Sequence, residues 1–217
     1  KEVIDMALKA SLALNCKINQ YMHFDRKNYF YPDLPKGYQI TQKDSPIGYD
    51  GYLEIKTENG IKKIEIERIQ IEEDTCKSIH SGKQTLLNYN RAGVPLIEIV
   101  TKPVITDGNE AMLYLEALRE TLLYLGVSDV KMEEGSMRVD VNISVRKKGE
   151  EKLGTRTEMK NLNSFRAIEH AVAYEVQRQI DVLKSGGKVL QETRRWDDIN
   201  GIGYPMRSKE NAQDYRY

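Results

Sequence analysis

The chain has 217 residues, 40% hydrophobic and 30% charged, with 33 basic and 33 acidic side chains and no formal net charge. That length supports one large domain or two small ones with a sizeable core, and the balanced charge makes no bulk demand for a nucleic acid, although local basic clusters can bind one. No apolar run approaches the roughly 18 residues of a membrane span, no signal peptide is visible, and Cys16 and Cys76 form neither a zinc motif nor an obvious disulfide framework, which fits a reducing cytoplasm.

Residues 3–15 carry helical spacing, with Val3, Met6, Ala7, Ala10 and Leu14 on one face. Residues 22–42, rich in aromatics, bases, Pro32, Pro35 and Gly37, predict a structured loop or a set of short strands. Residues 51–74 predict a hairpin turning at Asn59-Gly60. Its alternation slips between Ile66 and Ile69, which predicts a bulge at Glu67-Arg68. A further strand is expected at residues 94–100. Residues 106–126 predict a helix capped by Asp107, with Glu110 at capping-box spacing and Gly126 as its stop; Met112, Leu115, Leu118, Leu122 and Leu125 form its core face.

The stretch "VKMEEGSMRVDVNISV" alternates from Met137 to Val145, the pattern of a strand with one buried face. A strand at residues 155–160 follows. The longest helix is capped by Asn163 or Ser164, faces the core with Phe165, Ile168, Val172, Val176 and Leu183, and ends at Gly186-Gly187. The tail, residues 188–217, reads as polar, with Trp196 and several arginines. The order predicts an α+β fold with a mainly antiparallel sheet and helices packed on it. The chain opens within the first predicted helix and stops after "QDYRY", which reads as an excerpt of a longer protein.

Nucleotide-binding loops, nucleophile elbows and zinc-protease motifs are missing from the sequence. The stronger lead is acidic residues on strands: Glu72, Glu73, Asp74, Glu98, Glu133, Glu134, Asp140 and Glu158. Glu98 sits between Leu96 and Val100 on one face of an apolar strand, where a carboxylate is costly unless paired or metal-bound. Such carboxylates suit hard divalent cations, magnesium above all. Arg26, Lys27, Lys77, Arg138, Lys160, Arg194 and Arg195 accompany them, and carboxylates beside cations are the apparatus of phosphoryl transfer. Taken alone, Glu98 reads equally as a metal ligand or an ion-paired residue, whereas the Glu72-Glu73-Asp74 run and each single Lys or Arg read as solvated surface charge. Tyr29-Phe30-Tyr31 offers a stacking surface for a base, or simple packing around Pro32.

Several stretches together are more specific. "FDRKNYFYPDLPKGYQITQ", "IEEDTCKSIH", "NRAGVPLIEIV", "GVSDVKMEEGSMRVDVNIS", "EMKNLNSF" and "QETRRWD" resemble, in order and over essentially the whole chain, the B subunits of three-subunit aspartyl/glutamyl-tRNA amidotransferases. The resemblance implies a kinase-like cradle domain over residues 1–217, similar to the glutamine synthetase and guanido kinase catalytic fold. It is expected to be incomplete at the N-terminus, where a Glu-x-His motif is missing, and to lack the C-terminal helical and tail domains.

It also implies a ligase of protein biosynthesis that uses ATP and Mg2+. The side-chain carboxylate of Glu or Asp misacylated on tRNA is phosphorylated, then amidated with ammonia from a partner. The implied partners are an amidase A subunit, a small C subunit and the misacylated tRNA, in the cytoplasm and away from membranes. On this reading Lys27, Arg138 and Lys160 line the phosphate path, and Lys77, Asn142, Asn161 and Arg194 contact the cofactor. Glu73, Glu98, Asp140 and Glu158 hold metal. The competing readings are a noncatalytic tRNA-binding scaffold, which needs no inward carboxylates, and a magnesium-dependent nuclease, which needs no ATP pocket.

Overall fold

The computed structural model describes residues 1–206, and it resolves into two units that are taken in turn. The first comprises Lys1–Glu54 and Lys63–Val104. Its helix α1 (Glu2–Ala13) matches the predicted amphipathic face, burying Ala7 and Ala10 and placing Leu14 in the core just beyond its end. Short β1 (Lys17–Ile18) follows, then β2 (Asp25–Asn28) and β3 (Tyr38–Thr41), which pair as an antiparallel ribbon. The aromatic loop is therefore a pair of short strands with their connection. Phe30 in that connection is 92% exposed, so packing around Pro32 does not account for it.

The long hairpin is β4 (Gly48–Thr57) and β5 (Gly60–Glu73). Its turn falls on Glu58-Asn59, one residue earlier than predicted, with Gly60 at φ +108°. That conformation favours glycine. Next come the exposed ribbon β6 (Lys77–Ser81) and β7 (Gln84–Asn88), a 3-10 turn at Tyr89–Arg91, and β8 (Pro95–Thr101). The main sheet has the order β1-β4-β5-β8.

The predicted bulge is present and sets the chemistry of this sheet. Ile66 pairs with Thr101 and Arg68 with Val100, so β5 advances two residues where β8 advances one. Alternation resets there. Before the bulge the buried isoleucines are Ile64 and Ile66; after it they are Ile69 and Ile71, all at most 3% exposed. Each such side chain contributes roughly 1.5–3 kcal/mol on burial. Satisfying both isoleucine pairs forces Arg68, Gln70 and Glu72 onto the opposite face, beside Glu98.

The second unit comprises Ile55–Lys62 and the chain from Ile105 onward. Helix α2 (Gly108–Tyr124) is capped by Asp107, whose side chain accepts from Glu110 N. Glu110 reaches back to Thr106 N and Oγ1 and also holds Lys62. Ala111, Tyr114, Leu115, Leu118 and Leu122 are buried, whereas Met112 and Leu125 are only half-buried.

Strand β9 is only Val141–Ile143: its ladder with β10 (Thr157–Lys160) starts at Ile143–Thr157 and ends at Val141–Met159. Arg138 and Asp140 therefore precede the strand, although their alternation predicted them within it. Helix α3 (Phe165–Lys184) is capped by Ser164, and its core face runs through Ala167, Ile168, Ala171, Val172, Glu175 and Gln179; Leu183, expected inside, is 47% exposed. The polar tail supplies two strands, β11 (Thr193–Asp197) and β12 (Ile202–Pro205). Residues 207–217 of that tail lie outside the described residues.

This second sheet has the order β12-β11-β10-β9. Its β10–β11 pair is parallel, which requires the α3 crossover between them. Trp196 is 2% exposed and meets Tyr174 edge-on at 5.7 Å. The architecture is α+β, mainly antiparallel, as expected. Among the described residues no helix is long and apolar enough to cross a membrane.

Candidate active site

On the polar face of β5 and β8 lies a cleft of about 190 Å³ lined by Asp25, Arg26, Lys27, Thr41, Lys43, Arg68, Gln70, Glu72 and Glu98. All belong to the first unit. Strand register places Gln70 directly opposite Glu98. Gln70 Nε2 donates to Glu98 Oε2 at 2.6 Å and to Glu72 Oε1 at 2.7 Å. Thr41 Oγ1 donates to Glu72 Oε1 at 3.0 Å, and Arg68 Nε donates to Gln70 Oε1 at 2.8 Å. Two carboxylates are thus gathered on one buried amide.

Glu98 is open to solvent, not buried as its apolar neighbours suggested. The walls of the cleft nevertheless strip enough water, and Glu72 adds enough negative charge, to push its carboxyl up to about 7 against the pull of Arg68 and Lys27. Asp25 Oδ2, on the same cleft, is buried with no hydrogen-bond partner among the described residues. Four cations, Arg26, Lys27, Lys43 and Arg68, line the cleft with the three carboxylates. The guanidinium of Arg26 also lies 4.7 Å from the centre of the Tyr38 ring.

Lys27 and Glu98 are therefore brought together as expected. Glu73 is not with them. It faces the other way along β5, where it accepts from Lys36 Nζ at 2.6 Å and from Ile40 N at 2.9 Å. The carboxylate beside Glu98 is Glu72. Parity carried that information: Ile69 and Ile71 claim the core face, so the even-numbered residues take the cleft. Lys77 lies exposed on β6 and does not line the cleft.

A separate charged group lies in the second unit. Lys160 Nζ is 3.0 Å from Asp140 Oδ2 and 3.4 Å from Glu158 Oε1. Burial alone would lower Lys160, but the two carboxylates outweigh it and hold its ammonium above the usual range. Asn142 and Thr193 flank Glu158 across the sheet, and Thr193 Oγ1 donates to Glu158 Oε2 at 3.0 Å. Arg138 is exposed just ahead of this group. Asn161, at φ +66°, donates to the Trp196 carbonyl.

Arg194 is placed differently from the expectation that it meets a cofactor. It is 7% exposed and committed to Glu175, Glu192 and the Gly203 carbonyl. Its alternate neighbour Arg195 is the one that reaches solvent. Among the described residues no three Asp, Glu, His or Cys side chains converge as a complete metal-ligand set.

Sequence reasoning passed over Gln70, Thr41 and Asp25. Gln70 carried a readable signal, a polar residue between isoleucines on a strand that changes face.

The chain belongs to the family described as the GatB/GatE catalytic domain, matched over residues 1–217. It is 54% identical to the B subunit of the aspartyl/glutamyl-tRNA(Asn/Gln) amidotransferase of Carboxydothermus hydrogenoformans and 58% identical to the proteins of the same name from Clostridium novyi and Clostridium tetani. Each match covers 100% of this chain and 46% of the relative, so the chain spans about half the length of the relatives it matches.

Proposed function

We propose that this chain is the ATP-dependent catalytic part of an aspartyl/glutamyl-tRNA amidotransferase, with the Glu72–Glu98 cleft handling magnesium and the nucleotide's phosphates. The observation that carries this reading is two carboxylates held by one amide among four cations. The relatives' name supports the substrate, Glu or Asp carried by a tRNA. The mainly antiparallel α+β architecture is compatible with a kinase-like cradle of the glutamine synthetase and guanido kinase kind.

The donors fit a hard divalent cation. Magnesium usually takes one or two protein carboxylates and completes its shell with water and phosphate oxygens. Glu72 and Glu98 would hold it, and the orphaned Asp25 oxygen offers a further acceptor on the same cleft. When bound, it supplies positive charge against the crowded phosphates.

The chain's own residues do the rest. Lys27, with Arg26, Lys43 and Arg68, offsets charge that develops on the transferring phosphoryl oxygens. The side-chain carboxylate of the tRNA-borne residue attacks the terminal phosphorus, the bond to the bridging oxygen breaks, and ADP leaves with that electron pair. Ammonia then attacks the acyl carbon, inorganic phosphate departs, and one proton is lost to leave the amide. Lys160, Arg138, Asp140 and Glu158, with Asn142 and Asn161, are the second unit's candidates for the same chemistry. An amidase A subunit supplies the ammonia and a small C subunit completes a cytoplasmic heterotrimer.

The test is amidation by the full-length protein with its partners, given misacylated tRNA and free ammonia in place of glutamine. Amide is expected only when ATP is present. Amide at the normal rate without ATP overturns the reading, and tRNA binding with no ATP turnover points to a noncatalytic scaffold.

A further inference from the structure

Gln70 is 2% exposed, yet it carries more polar contacts than any other cleft side chain described above. Its amide orientation is fixed from both ends. Oε1 accepts from Arg68 Nε, and a guanidinium can only donate. Nε2 faces Glu72, Glu98 and Thr41 Oγ1, two of which are carboxylates that can only accept when ionised. One orientation alone satisfies every neighbour.

The choice of an amide has a chemical consequence. Two ionised carboxylates this close repel unless they share a proton, as the direct Glu98–Glu72 contact permits, or meet a common donor. A lysine or arginine at position 70 would supply it, but would also fill the position of positive charge that a bound cation takes. A leucine or methionine would supply no donor to fix the spacing of the pair once both are ionised. A glutamine donates without bringing charge. It holds both oxygens in place and leaves the pair's negative charge for a ligand. Its own partner Arg68 is held in turn by Glu67, the bulge residue, so the irregularity in β5 supports the amide from behind.

We propose that Gln70 is the positioning residue of this cleft, setting the spacing of Glu72 and Glu98 for a divalent cation. It rests on the reading of the cleft given above. Outer partners of metal-holding carboxylates typically contribute about 10- to 100-fold to metal affinity. That is the effect expected here, exerted through the two glutamates and without contact to the ion.

The test uses the full-length protein in its complex and Mn2+ as the probe, with free Mn2+ read by electron paramagnetic resonance. Gln70→Met, close in shape but without a donor, is expected to lower Mn2+ affinity about 10- to 100-fold while the thermal midpoint stays within a few degrees. Raising Mg2+ is expected to restore ATP-dependent amidation, a rescue that a merely structural lesion would not show. Should Gln70→Met not fold, Gln70→Ser, polar but too short to reach either carboxylate, is read in the same way. Unchanged Mn2+ affinity, or an amidation defect that Mg2+ does not relieve, overturns the role of Gln70. A parent protein with no Mn2+ affinity overturns the cleft reading itself, and this inference with it.

Discussion

Arg194 Nε lies 3.5 Å from Glu175 Oε2 in the interior of the second unit, joining helix α3 to strand β11. Arg178 donates to both oxygens of the same carboxylate, at 2.7 and 2.8 Å, and Thr157 Oγ1 and Gln179 Nε2 donate to Oε1. Glu175 is fully buried, so this cluster stands on mutual compensation. Removing one partner from such a network leaves a buried charge without its counterpart, which costs about 3–5 kcal/mol. Glu175→Ala is expected to destabilise the protein by that order, read by urea unfolding. A loss below about 1 kcal/mol would show the network to be dispensable.

The same carboxyl makes a prediction with pH. Burial would raise Glu175, but Arg178, Thr157 and Gln179 prevail and hold it below the usual carboxylate range. A carboxyl that is more acidic folded than unfolded contributes stability above its unfolded value and loses it as pH falls through the folded one. The parent should therefore lose stability on acidification more steeply than Glu175→Gln, which carries no proton to gain. Parallel acid profiles for the two proteins would refute this.

Gly108 offers a reversal of sign. Alanine in a helix is ordinarily favoured over glycine by up to about 1 kcal/mol. A Cβ at Gly108 would stand 2.7 Å from the Glu169 carbonyl oxygen and 2.9 Å from its Cα, where α2 meets α3. Backbone cannot step aside as a flexible side chain can. Overpacking of this kind costs about 1–3 kcal/mol, so Gly108→Ala is expected to lower the melting temperature. A rise would mean that propensity outweighs the close approach.

Lys27 is exposed, and its removal has little fold to disturb. Under the proposed chemistry Lys27→Met should lower ATP-dependent amidation about 10²–10³-fold, the usual cost of one donor aimed at developing charge. Thermal stability should barely move. Amidation within a factor of a few of the parent would make Lys27 an ordinary surface residue.

Much of this arrangement is legible in the residues. The bulge at Glu67-Arg68 shows itself as a slip in alternation, and it is the feature that turns Arg68, Gln70 and Glu72 toward Glu98. Asp107, Ser164, Gly126 and Gly186 mark helix ends because caps are local chemistry. Glu72 is hard to tell from Glu73 because a run of three acids hides its parity, which only the neighbouring isoleucines reveal. Strands β11 and β12 are illegible. "TRRWD" has no apolar alternation, since its buried arginine is neutralised by Glu175 from helix α3 and by Glu192, which immediately precedes the strand. The length of β9 depends on a partner strand, which no local pattern reports.

The central claim is that Glu98, with Glu72, serves ATP-dependent amidation. Its most direct test is Glu98→Gln in the full-length complex, with misacylated tRNA, ammonia, ATP and magnesium supplied. The substitution keeps shape and solvent exposure, so folding and tRNA binding should persist while amide formation falls at least about 10²-fold, the loss expected when one group acting on developing charge is removed. Amide formation within a few-fold of the parent, at ordinary magnesium, would contradict the account and move the chemistry away from this cleft.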